Sequence, residues 1–80
     1  MSHFTYILFS KRLNKYYVGS TANLQNRITE HNSGEGKYSK LGIPWNIIKY
    51  YEHDTRSEAM KMENRIKKKK HQKVFRNEYQ

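Results

Sequence analysis

Five residues of this chain carry chemistry that their immediate sequence surroundings do not call for: Tyr6, Tyr17, Arg27, His31 and Glu63. Arg27 and His31 stand four apart, and at roughly 100° per residue of helix they share an arc of about 100° with Leu24 and Ile28. Two ionisable side chains therefore lie on the stripe that faces inward, while Gln25, Asn26, Thr29 and Glu30 take the outer face. Glu63 repeats the pattern further on, inside an apolar stripe marked by Ala59, Met62 and Ile66. Leaving a carboxylate unpaired there costs on the order of several kcal/mol, so Glu63 needs a cation partner or the edge of a wet cleft. Guanidinium, imidazole, carboxylate and phenol are groups suited to gripping an anion and moving a proton.

The elements that must position these groups follow from the same sequence. Residues 3–10 are β-branched and aromatic with two mostly apolar faces, which predicts a strand covered on both sides. Residues 11–14 are polar, and residues 15–19 resume β-character, so the pair predicts an antiparallel hairpin with a loop of about four residues. Period two sets Tyr17 on the face opposite Tyr16 and Val18. Ser20 or Thr21 can cap a helix over residues 22–32, stopped by Asn32-Ser33-Gly34. After a basic, glycine-bearing connection with Lys37, Tyr38 and Lys40, Pro44 precedes a third strand over residues 45–52. Its register is not legible. Thr55-Arg56-Ser57-Glu58 has capping-box spacing, so the last long helix should start at Arg56. Four lysines at 67–70 then suit the helix's negative end, and residues 74–80 form a short last helix or a frayed tail.

Eighty residues predict one domain, 1–80, burying only roughly 60–65% of the surface of the unfolded chain. With no cysteine there is neither a disulfide framework nor a thiolate zinc site, and the histidines at 3, 31, 53 and 71 are too scattered for a local metal motif. Stability must come from aliphatic packing and from eleven aromatic residues. The net charge of +9 exceeds what solubility needs and predicts a polyanionic partner. Nucleic acid fits better than a membrane surface, because no segment approaches ~20 consecutive apolar residues and no signal-peptide pattern is present. The expected location is the cytoplasm.

Taken together in order, Phe4-Thr5-Tyr6-Ile7-Leu8, Tyr17-Val18-Gly19, Arg27 with His31, and Glu63 within Glu58-Ala59-Met60-Lys61-Met62-Glu63 resemble the GIY-YIG endonuclease superfamily. The likeness spans residues 4–70 and is strongest to its small stand-alone bacterial members. It implies an α+β fold, a three-stranded antiparallel sheet flanked by helices, and hydrolysis of DNA with one divalent metal, Mg²⁺ or Mn²⁺. Tyr6 and Tyr17 match the two tyrosines of the family's name, Gly19 its closing glycine, Arg27 and His31 the helix-borne pair, and Glu63 the metal-binding glutamate. Phe4-Thr5 stands where the name motif has Gly-Ile, and the lysine run replaces a stretch that often carries a tryptophan.

The resemblance implies roles. Tyr17 would take the proton of an attacking water, Tyr6 and His31 would hold or deprotonate Tyr17, Arg27 would stabilise the phosphate, and Glu63 would carry the metal. Lys37, Lys40, Lys67, Lys68 and Lys70 would meet the backbone of the nucleic acid. With no separate recognition domain, target choice would come from DNA shape, branched or damaged structures included, or from a protein partner. Each residue alone has a plainer reading. Strand tyrosines pack, Arg27 can snorkel or form a structural ion pair, His31 suits a helix end, and Glu63 can pair with Lys67 one turn on. The competing functions are a non-catalytic nucleic-acid-binding module and an interaction subunit on the same scaffold.

Overall fold

The two apolar faces of the first strand explain its place: it lies in the middle of a three-stranded antiparallel sheet of order β2-β1-β3. The computed structural model describes residues 2–34 and 40–69. Within them β1 (His3–Ser10), β2 (Lys15–Thr21), α1 (Leu24–Asn32), β3 (Trp45–His53) and α2 (Arg56–Lys69) follow in chain order. The fold is α+β, as expected. The expected positions Lys37, Tyr38 and Lys70 and the segment 74–80 lie outside the described residues. Among the described residues no helix is long and apolar enough to cross a membrane.

The hairpin turn takes four residues, with Asn14 at a φ of 53°, a left-handed conformation that asparagine tolerates better than most side chains. Register then follows: Tyr6 faces Gly19 on β2 and Tyr50 on β3, and Phe4 faces Thr21 and Glu52. Along β3 the pairing shifts between Ile7 and Leu8, which face Lys49 and Ile47, so Ile48 is the extra residue of a bulge.

Alternation along β1 builds two cores. On one face Ile7 packs with Tyr16, Val18 and Ile66, and with the half-buried Phe9, Tyr51 and Met62. On the other, Tyr6, Leu8 and Trp45 pack with Leu13, Tyr17, Leu24, Ile28, Ile43 and Ile47. Each fully buried side chain of this kind contributes about 1.5–3 kcal/mol, so both helices are held chiefly by burial. The buried Thr5 hydroxyl adds a polar anchor, donating to the Ala59 carbonyl at 2.8 Å and contacting His53 Nε2 at 3.1 Å.

Helix α1 starts two residues later than the sequence predicts, and neither Ser20 nor Thr21 is its cap. Both belong to the β2 ladder, facing Thr5 and Phe4. Asn23 caps instead, its side chain accepting from the Asn26 amide at 3.0 Å. At the other end the helix gives way at Ser33 to Gly34, whose φ of 83° suits a residue without a Cβ. Helix α2 starts at Arg56 as expected, with the Glu58 amide donating to Thr55 Oγ1 at 3.2 Å.

Candidate active site

Tyr6 is fully buried, yet its hydroxyl is the centre of a polar cluster. Arg27 Nε lies 3.3 Å from it and His31 Nε2 lies 3.4 Å from it. The arginine can only donate, so the phenol oxygen accepts from Arg27 and its proton is left for the imidazole. Burial pushes the Tyr6 phenol above its ordinary value near 10.0; the Arg27 hydrogen bond works against that, while the nearby Tyr17 and Glu63 add to it. Tyr6 therefore remains a neutral phenol and holds its neighbours in place. This differs from the expectation that Tyr6 would deprotonate Tyr17.

His31 is buried and its basicity is lowered, first by burial and then by the positive charge of Arg27, with Glu30 opposing. A neutral imidazole is the form that accepts from Tyr6. Its ring stands edge-on to Tyr17 at a centroid distance of 4.5 Å and near Trp45 at 6.3 Å. Tyr17 also lies 6.4 Å from Tyr6 in a stacked arrangement. Arg27 is held more strongly in its charged form, chiefly by the Tyr6 hydrogen bond and also by Glu30 and Tyr17. Its side chain is 43% exposed, so the guanidinium reaches water while Nε is anchored; NH1 meets Glu30 at 3.2 Å.

Gly19 has a physical reason to be glycine. A Cβ there would come 2.5 Å from the Tyr6 hydroxyl oxygen and 2.8 Å from its Cζ. The phenol lies across the backbone of the edge strand β2, so its polar end reaches the rim of the sheet. Helix α2 packs the opposite face and also touches β2. Glu63 comes from that helix, and its charge is felt at the Tyr6 hydroxyl. The two faces of the sheet thus contribute to one rim.

The structure brings Tyr6, Tyr17, Arg27 and His31 into mutual contact and sets the Glu63 carboxylate within electrostatic reach. Glu63 itself accepts from Lys67 Nζ at 2.6 Å, with a side chain only 18% exposed. Lys67, expected at phosphate, is engaged by that carboxylate, because a lysine one turn on is its cheapest counter-charge. Lys40 and Lys68 are exposed.

No group of three or more His, Asp or Glu able to hold a metal is present among the described residues. That donor set does not suit a protein-made cage. It does suit Mg²⁺ or Mn²⁺ held by one carboxylate and completed by waters and substrate oxygens. Glu63 is a hard oxygen donor at the rim, and Lys67, half-exposed on a flexible stem, can leave it.

Two positioning residues escape the sequence. Asn32 reads there as a helix stop, yet its side chain accepts from the Trp45 amide at 2.7 Å and donates to the Trp45 carbonyl at 3.1 Å. It ties α1, and with it His31, to the start of β3. Glu30 reads as an outer-face residue but braces Arg27; its spacing of three was the available signal.

The profile of the GIY-YIG catalytic domain matches residues 2–80. The chain belongs to the GIY-YIG family. Its curated relatives include UPF0213 proteins of Listeria innocua, 42% identical over 67 residues (82% of this chain and 73% of that protein), and of Halobacterium salinarum, 43% identical over 53 residues (65% and 69%). Among solved structures, the solution NMR structure of a UPF0213 protein from Bacillus halodurans is similar at a TM-score of 0.52 and 32% identity, covering 85% of this chain and 72% of that one. A GIY-YIG domain supports a nuclease-type function, a hydrolase acting on nucleic acid.

Proposed function

We propose that this GIY-YIG domain is a divalent-metal-dependent endonuclease that hydrolyses DNA phosphodiester bonds with little intrinsic sequence preference, selecting branched or damaged DNA by shape or through a partner. The observation that carries the reading is the Arg27–Tyr6–His31 hydrogen-bonded chain at the rim where Glu63 also arrives.

The roles follow from the groups. Arg27, anchored at Nε and open at its tip, grips the non-bridging oxygens of the scissile phosphate as negative charge builds there. Tyr17, half-buried beside His31, takes the proton of the attacking water. That role needs a phenolate, which the Arg27 cation favours, since the two groups attract. Neutral His31 is the basic group packed against that phenol. Tyr6 positions Arg27 and His31. Glu63 would hold the metal, which when bound supplies a Lewis acid for the phosphate and charge for the departing 3′ oxygen.

The test is incubation of the protein with flap, fork and linear duplex DNA in Mg²⁺, Mn²⁺ or EDTA, beside Glu63→Ala and Arg27→Ala. Metal-dependent nicking by the wild type that both variants lose supports the reading. Binding without nicking in any metal favours a non-catalytic nucleic-acid-binding module instead.

A further inference from the structure

The active-site face of the sheet does not end at Tyr6. In the same cross-strand row, Gly19, Tyr6 and Tyr50 stand side by side on β2, β1 and β3, so their Cβ directions point to one face. Tyr6 is buried, whereas Tyr50 is 56% exposed, a large aromatic surface left open beside the catalytic cluster. Phe4, one row along on the same face, meets Tyr50 edge-on at 6.3 Å and 64°, which holds the tyrosine ring up.

The β3 bulge is what sets it there. Ile47 and Tyr50 are three apart and in a regular strand would point to opposite faces. The extra residue at Ile48 lets Ile47 stay in the core beneath Trp45 while Tyr50 turns to the Tyr6 side. Ile47, Ile48, Lys49 and Tyr50 together line a shallow cavity of about 250 Å³. Its mouth carries one cation, on a chain whose net charge is +9.

From this arrangement we infer that Tyr50, braced by Phe4, is a stacking platform for an unpaired nucleobase next to the scissile phosphate. The inference rests on the proposed nuclease reading and deepens it by naming the substrate class. Tyrosine faces take any base, and a lysine beside the ring meets the adjoining phosphate, so the recognised feature is single-strandedness rather than sequence. A base buried in a duplex stack does not offer its face. Nucleic acid fits this surface better than a protein does, because the open aromatic is continuous with the Arg27 cluster and lies among cations.

Binding in EDTA separates the possibilities without cutting. The substrates are a duplex with a single-stranded flap, carrying 2-aminopurine as the first unpaired base, and the fully paired duplex of the same length. The expected result is fluorescence quenching of the unpaired base by wild type and by Tyr50→Phe. Tyr50→Ala should bind the flap on the order of tenfold more weakly, with about twofold or less change on the paired duplex. Equal losses on both substrates, no loss on either, or a Phe variant as weak as the Ala variant would overturn the stacking role. So would sedimentation revealing a wild-type dimer that Tyr50→Ala dissolves with DNA binding intact. If wild type binds and nicks DNA while Tyr50→Ala matches it, only the platform falls; if wild type binds no DNA at low salt, the nuclease reading falls with it.

Discussion

Tyr6 and Gly19 face each other across the hairpin, and the phenol of one lies over the backbone of the other. The absence of a side chain at Gly19 lets a core residue deliver its hydroxyl to the sheet's rim, where Arg27 and His31 meet it. Gly19→Ala therefore should push the ring aside, destabilising the fold by about 1–3 kcal/mol through overpacking. Tyr6→Phe separates position from chemistry: the ring still packs, but Arg27 and His31 lose their common partner. Thermal melts should find it close to wild type, while nicking should fall about 100-fold, the scale of a misplaced catalytic group.

Arg27 is used for its shape as well as its charge. Arg27→Lys keeps the cation but cannot donate from Nε to Tyr6 while reaching outward with the rest of a fork. Single-turnover nicking should drop by roughly 10²–10³, near the loss in Arg27→Ala, since one preorganised donor to an anionic transition state is worth about that much. Rescue of activity by lysine would mean that Arg27 acts only as a point charge.

His31 links pH to stability. Its folded pKa lies below the ordinary 6.5 because burial, and then Arg27, disfavour the cation. The unfolded chain thus takes up the proton first as pH falls, so stability is fully present above the unfolded value and is lost as pH drops toward the folded one. Melting temperature should decline between about pH 7 and pH 5, and His31→Gln should flatten that slope. An unchanged slope would remove His31 as the source.

Lys67 stands between Glu63 and any cation. Lys67→Ala should change stability by only a few tenths of a kcal/mol, as for other helix pairs one turn apart. It should lower the Mn²⁺ concentration needed for half-maximal nicking several-fold. Metal affinity read by calorimetry on the protein alone should move in the same direction.

Much of this fold was legible because pattern and period agree. The doubly apolar run at residues 4–9 requires cover on both faces, and the centre of the sheet is where it receives it. The inward stripe of α1 gave Leu24, Arg27, Ile28 and His31 together. What stayed hidden depends on long-range register. Nothing local announces that Tyr6 pairs with Tyr50, that Ile48 is bulged, or that Asn32 clamps the Trp45 backbone. The misread cap has the same origin: Thr21 looks like a helix start until its pairing with Phe4 makes it the end of a strand.

The central claim is that the α1 cluster and Glu63 of α2 act on one phosphate, although they approach from opposite faces of the sheet. Single-turnover nicking of a flap substrate in Mg²⁺ by wild type, Arg27→Ala, Glu63→Gln and the double variant tests it directly. The account predicts strong non-additivity, with the double variant no slower than the worse single one, as for groups that work as a unit. Losses that simply multiply, or nicking that survives both substitutions, would contradict it.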